Sequence, residues 1–428
     1  MLSFSLPRST SHNASTATLL SVHSDQNILF HSLRSATISR QVIGYNDEII
    51  DSVFLTPPTS AEVSTSKRDT SIAFATNSSL IRVYSTSTYD ARLLAGHSDM
   101  VLCLDRSKDG QWLVSGSKDR TARVWACLPP AAGGEPSWRC IAVCEGHAES
   151  IGAVAVSRKP MADESLARAG IRAGFLFTAS QDRTIKMWDL TAIDLSAAEP
   201  TKLRSLLTQK IHEKDINSLD ISPNDRLLAT GSQDKTVKVF DVSFTPGKKG
   251  AKSAGAVNQL GTCKGHKRGI WSVKFSKTDK VLATASGDKT VRVWSLDDFS
   301  CLKVRAKLSW PRCSPFAMLM SCCSRLQTFE GHSNSVLRVD FMTQGQQLVS
   351  SSSDGLVKIW NIKDEECAAS LDNHEDKIWA LAISEDEQTI VSGAADSVVT
   401  FWSDCTQTDE REKVNKLEST ILKYVLRD

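Results

Sequence analysis

Residues 96–125, GHSDMVLCLDRSKDGQWLVSGSKDRTARVW, and 265–294, GHKRGIWSVKFSKTDKVLATASGDKTVRVW, carry one pattern twice. Each opens on Gly-His, runs through short alternating apolar stretches and closes on Trp. Six of the nine histidines open such segments, and each segment supplies a quartet at fixed spacing. The quartets are His97, Ser115, Asp119 and Trp125; His147, Thr178, Asp182 and Trp188; His212, Thr230, Asp234 and Phe240; His266, Thr284, Asp288 and Trp294; His332, Ser350, Asp354 and Trp360; and His374, Ser392, Asp396 and Trp402. The Asp always stands six residues before the aromatic and the hydroxyl ten before it. From His to hydroxyl is 18 residues in five segments and 31 in the one opened by His147, so 13 extra residues within 159–174 form a longer loop there.

Within a segment the alternation predicts strands such as 101–105, 112–117 and 121–125, separated by turn residues at Lys108-Asp109-Gly110 and Lys118-Asp119-Arg120. Carboxylate, imidazole, hydroxyl and indole can share one hydrogen-bond chain, which would tie the loop before each segment to the turn between its middle strands. A segment of this design resembles the WD40 repeat. The resemblance spans roughly residues 40–403. It implies an all-β fold, a seven-bladed WD40 β-propeller. The seventh segment is degenerate, with strands expected at 40–44, 49–54, 71–76 and 80–84. Tyr84 replaces its Trp, while Phe74 and Ser78 stand at the hydroxyl and Asp positions, so this blade is expected to rest on packing alone. Residues 40–44 would complete the blade that holds Trp402 and so leave no open edge.

The domain expectation is therefore three parts: 1–35, a fragment of a preceding propeller; 36–405, the ring; and 406–428, a C-terminal amphipathic helix beginning a helical domain. Residues 18–34 look like the middle strands of another blade without partners. In the last stretch Val414, Leu417, Ile421, Leu422 and Val425 share one helical face. Residues 304–327 fit no blade. The step from His266 to His332 is 66 residues, and removing these 24 leaves 42, the step from His332 to His374. A Val codon begins GT and a Gln codon can end AG, so the stretch is expected to be an intron read through in frame.

Composition narrows the function classes. With 51 Lys and Arg against 49 Asp and Glu, the net charge of +2 commits the chain neither to nucleic acid nor to a membrane surface, so any basic patch must be local. At 41% hydrophobic and 23% charged residues it has the makings of a sizeable core. No apolar run approaches the length of a membrane span, and residues 1–20 lack the apolar core of a secretory signal. The eleven cysteines form no C-x-x-C pair and read as reduced packing residues. Phosphate-loop, zinc-protease and serine-hydrolase motifs are missing. Six regular Asp copies are structural in character, since an active site needs one asymmetric constellation. The expectation is therefore a chain that is not an enzyme, with no catalytic residue, no cofactor and no metal site.

Several segments carry a closer resemblance: HEKDINSLDISPNDRLLATGSQDKTVKVF, GHKRGIWSVKFS, DDFSCLK with TFEGHSNSVLRVDF, SDGLVKIWNIK, HEDKIWAL, LLSVHSDQNILFHSL and GYNDEIIDSVFL. They resemble the transducin-beta-like 3 and U3 small nucleolar RNA-associated protein 13 family. That resemblance implies two tandem propellers followed by a helical domain, of which this chain would hold the second propeller. It further implies a non-catalytic scaffold of the small-subunit processome, the U3 snoRNP, in 18S pre-rRNA processing and small ribosomal subunit biogenesis, in the nucleus and nucleolus. Implied partners are other processome proteins, including tandem-propeller subunits of the B subcomplex, with U3 snoRNA or pre-rRNA contact possible. The alternative is a generic WD40 adaptor, such as a ubiquitin-ligase substrate receptor or a signalling hub; the recruiting module this would need is not visible here.

A candidate binding surface comes from the residue after the turn Asp. It is basic in four consecutive blades, Arg120, Arg183, Lys235 and Lys289, and becomes Gly355 and Ser397 in the next two. The loops carrying the histidines add Lys214, Lys267 and Arg268, which makes an arc suited to phosphate or an acidic partner. The Gly-rich loop 245–255, with Lys248, Lys249 and Lys252, reads as a solvated linker or as a flexible basic finger. Trp271 and Trp379, each five residues after its His, are expected to pack within the ring rather than to stack on RNA.

Overall fold

The computed structural model describes residues 47–56, 70–86, 90–128, 137–159, 166, 170–247, 253–301 and 328–403, together with the backbone of strands lying within 18–43, 303–305 and 324–326. The stretch at the end of the chain expected to be helical, 406–428, lies outside the described residues, as do Lys248, Lys249 and Lys252.

Seven antiparallel sheets stand around one axis. Their innermost strands are Ile49–Leu55, Val101–Arg106, Ile151–Val156, Ile216–Ile221, Ile270–Phe275, Val336–Met342 and Ile378–Ile383, defining blades one to seven. The second strand of a blade, such as Phe175–Ser180, is buried at all six positions. Neighbouring blades cover both of its faces, so it reads as an unbroken run of apolar and small residues rather than an alternation. Blades close on one another through small residues. A Cβ on Gly116 would come within 2.8 Å of Ile151 in the next blade, and one on Gly231 within 2.8 Å of Ile270. At the seam Gly393 of blade seven would meet Ile49 of blade one at 2.6 Å, and Ile49, Ile72 and Phe74 share a core with Ala380 and Val391. The ring is a seven-bladed propeller.

Three features depart from the expected pattern. The strand Thr37–Ile43 pairs with Asn27–Ser32, which itself pairs with Thr18–Val22, forming a separate three-stranded sheet. The strands within 18–34 therefore do have partners, and Thr37–Ile43 does not complete blade seven, which among the described residues has three strands, the last being Val399–Ser403. Adjacent hairpin strands close a short loop at little entropic cost, whereas reaching blade seven would require pairing with a strand more than 350 residues away. Phe401 is correspondingly 40% exposed. Blade two gains a fifth strand: Thr201–Leu203, from the connection inside blade three, lies parallel to Ser137–Glu145. This strap covers what would be an edge, and its Leu190, Ile193 and Leu203 join the core of blades two and three. Finally, blade one does not rest on packing alone. Arg82 donates to Thr76 Oγ1 at 2.7 Å and to Asp47 Oδ2 at 3.0 Å, beside an edge-to-face contact of Phe74 with Tyr84.

The outer strand of blade five is split at 304–327. Cys301 bridges to Trp294, and only Thr328–Glu330 continues the ladder against Thr290–Arg292. In blade six the partner of Trp360 is Cys367 and that of Ile359 is Ala369, so one residue bulges; blade four does the same between Gln259 and Gly261. Joining Lys303 directly to Thr328 would place Lys303 opposite Val293 and Cys301 opposite Trp294, with Leu302 as the bulge. The blade would recover its siblings' register. Deleting residues 304–327 should therefore leave the denaturation midpoint unchanged or raise it, and mature mRNA should lack the matching 72 nucleotides, three for each of the 24 residues. An insoluble deletion protein, or a dominant transcript retaining the stretch, overturns this expectation.

Candidate functional site

The turn between the second and third strands and the loop carrying the histidine share one rim of the ring. In blade two Lys118 N donates to Met100 O at 2.9 Å and Ser117 Oγ to the same oxygen at 2.9 Å. Asp119 ties the two together. Its Oδ1 accepts from Thr121 N and Thr121 Oγ1 at 2.8 and 2.7 Å, and its Oδ2 from His97 Nδ1 and Ser98 N at 2.8 and 3.0 Å. With Nδ1 protonated and donating, Nε2 accepts from Ser115 Oγ at 2.8 Å, and that oxygen accepts from Trp125 Nε1 at 2.9 Å. The same chain runs through His147, Asp182, Thr178 and Trp188; through His266, Asp288, Thr284 and Trp294; through His332, Asp354, Ser350 and Trp360; and through His374, Asp396, Ser392 and Trp402. In blade four His212, Asp234 and Thr230 are joined alike, and Phe240 ends the chain without a donor.

These contacts set the charge states. Burial pushes the carboxyl of Asp119 up, but hydrogen bonds from His97 and Thr121 outweigh it and hold the group well below the usual carboxylate range; Asp234, Asp288 and Asp354 behave alike. Burial holds the imidazoles of His147 and His266 below the ordinary histidine value, against the pull of Asp182 and Asp288. The result is a neutral ring donating to an ionised Asp. Both ring nitrogens of each of the six histidines are engaged within the protein.

The rim outside the chain is basic on one side. Arg120, Arg183, Lys235 and Lys289 adopt φ of 69°, 69°, 71° and 72°, the left-handed corner that closes a three-residue turn. Gly355 and Ser397 hold that corner in blades six and seven at 80° and 62°. A side chain leaving this corner points away from the sheet, and all four are exposed, as are Lys214, Lys267 and Arg268 on the adjoining loops. None of the seven makes an ion pair among the described residues. The described ends of the loop 245–255 join strands Thr236–Thr245 and Ala254–Lys264 at the ends away from Lys235, on the side of the opposite rim.

Sequence reasoning passed over the channel, a cavity of about 720 Å³. Carboxylates on the inner strands reach across to the next blade's backbone: Asp51 accepts from Leu104 N, Asp105 from Val156 N and Asp220 from Phe275 N, at 2.8 to 2.9 Å. Arg158 plugs the end away from the basic rim, 3.0 Å from Asp105 and 3.4 Å from Asp220, while Arg338 lies 3.0 Å from Asp51. Aspartates repeated at one inner-strand position, Asp105, Asp220 and Asp340, were the available signal.

The family model described as WD domain, G-beta repeat matches residues 88–126, 138–189, 203–241, 257–295, 323–361 and 365–403. The chain is 38% identical over 261 residues to transducin beta-like protein 3 of Bos taurus, covering 60% of this chain and 28% of that protein. It is 36% identical over 211 residues to U3 small nucleolar RNA-associated protein 13 of Saccharomyces cerevisiae, covering 47% and 23%. Ribosome biogenesis protein WDR12 homolog of Trichoplax adhaerens is 29% identical over 344 residues, covering 72% and 73%. The chain thus spans about a quarter of the length of the first two relatives. Its six matched repeats occupy more than half of its own length, and the chain belongs to the WD40 family.

Proposed function

We propose that the ring is a non-catalytic scaffold in ribosome biogenesis, specifically of the small-subunit processome around U3 snoRNA, acting in 18S pre-rRNA processing in the nucleolus. The observation that carries this reading is the arc of seven exposed cations on one rim of the ring, none of them in an ion pair among the described residues. Relatives named for ribosome biogenesis and for association with a small nucleolar RNA support the same direction. The six histidines support binding over chemistry, because each is spent on a carboxylate and a hydroxyl rather than left for a substrate. Partners on this reading are other processome proteins, including tandem-propeller subunits of the B subcomplex, with pre-rRNA or U3 snoRNA along the arc.

Changing Arg120, Arg183, Lys235 and Lys289 together to Glu tests it. The hydrogen-bond chains beneath are untouched, so folding should survive, and a parallel set of changes to Gly removes charge at positions whose backbone favours glycine. Recovery of U3 RNA and processome proteins with the tagged full chain should fall at least about tenfold for the Glu set, and less for the Gly set. Wild-type recovery of both at low salt, where charge matters most, would falsify the arc as the binding surface.

A further inference from the structure

At the end of the arc two indoles stand where no cation does. Trp271 of blade five and Trp379 of blade seven are the second residues of their inner strands, directly below the histidine loops. Both strands shift register at that point, between Ile270 and Ser272 and between Ile378 and Ala380, so each tryptophan is the extra residue of a β-bulge. A bulge re-aims its side chain out of the ladder. Here the two rings meet edge to face, centroids 6.0 Å apart, although a whole blade separates their strands. Both stand at the ends of their inner strands that lie on the side of the basic rim.

The pair keeps part of its surface open to solvent. Both indoles are only partly buried, unlike the chain tryptophans Trp188 and Trp294, each 1% exposed. Gly287 holds the turn position that is Lys118 in blade two and Gln181 and Gln233 in blades three and four. A Cβ there would sit 3.4 Å from Trp271 Nε1, so the buried glycine brings the turn close against the indole edge at rim height. Lys267, Arg268 and Lys289 lie on the loop and turn that meet there, all exposed. Neither indole N–H donates to another residue among those described.

The geometry points to a base-stacking subsite: the Trp271 and Trp379 pair receives an unstacked base of single-stranded RNA whose phosphates run along Lys267, Arg268 and Lys289. This deepens the scaffold reading and rests on the arc being a phosphate-binding surface. A flat aromatic face beside cations suits a nucleotide, because every base offers a π-face and a carbonyl or ring nitrogen to an indole N–H. An acidic peptide would satisfy the cations and leave the indoles unused.

The test measures binding of a labelled oligouridine of about twelve nucleotides, and of an abasic oligomer of equal charge, to the purified full chain at low and physiological salt. Oligouridine should bind about tenfold tighter than the abasic oligomer and quench tryptophan emission. Trp271→Leu should lose that factor at both salts without altering the salt slope, and Trp379→Leu should lose part of it. The Glu set in the arc should weaken both oligomers and flatten the slope. Equal affinity for the two oligomers on the wild-type chain overturns the stacking subsite while leaving the arc intact, and that comparison needs no variant to fold. Failure of both oligomers to bind at low salt, or equal competition by polyglutamate, overturns the arc and the subsite with it.

Discussion

Thr284→Val should lower the stability of the ring by about 2–4 kcal/mol, and Thr230→Val by only about 1–2 kcal/mol, although both exchange one fully buried hydroxyl for a methyl of the same shape. Thr284 Oγ1 receives the Trp294 indole N–H at 2.9 Å and donates to His266 Nε2 at 2.7 Å. Valine leaves two buried polar groups unsatisfied, each costing about 1–2 kcal/mol. Thr230 donates to His212 Nε2 at 2.7 Å, but its aromatic neighbour is Phe240, which has no N–H to strand. One orphan results instead of two. Thr284→Ser should restore nearly everything, since Ser115, Ser350 and Ser392 fill the same place in blades two, six and seven. Denaturant midpoints of the three variants decide the matter. Equal losses for the two valine variants would show that the indole bond contributes nothing and that side-chain packing alone sets the cost.

That contrast between blades also explains which parts of the molecule could be read from sequence. The quartets were legible because six copies at fixed spacing compare themselves, and the one Phe240 stood out against five tryptophans. Features that occur once have no such internal comparison. The tie of Asp47 to Arg82 spans 35 residues and imitates no quartet, so blade one looked devoid of polar ties. The strap Thr201–Leu203 lies parallel to its partner, and nothing in a three-residue strand announces a parallel neighbour. The pairing of Thr37–Ile43 with the hairpin before it rather than with blade seven is a choice between two edges, which alternation alone does not decide. The arc was visible as charge, but its left-handed backbone and lack of ion pairs needed coordinates.

Acid should unfold the ring in two stages, and the sign of each follows from the same quartets. Imidazoles held neutral by burial, His147 and His266, take up a proton in the unfolded chain near pH 6.5 but resist it when folded. Their contribution is complete above pH 6.5 and is lost as pH falls below that value toward the folded one. The carboxylates of all six quartets, held low by their histidines and turn hydrogen bonds, titrate near pH 4 only when unfolded. Their contribution is complete above about pH 5 and drains away below pH 4, each unmatched proton adding at most about 1.4 kcal/mol per pH unit. Chemical denaturation at a series of pH values should therefore show a shallow decline between about pH 6.5 and 5 and a steep one below pH 4. Asp354→Asn should flatten the lower limb by about one proton, because it removes one of the six carboxylates that set that limb. A stability that stays constant from pH 7 to pH 3.5 would mean that the six carboxylates titrate alike in the folded and unfolded chain, and the chains would then hold the ring by shape and not by charge.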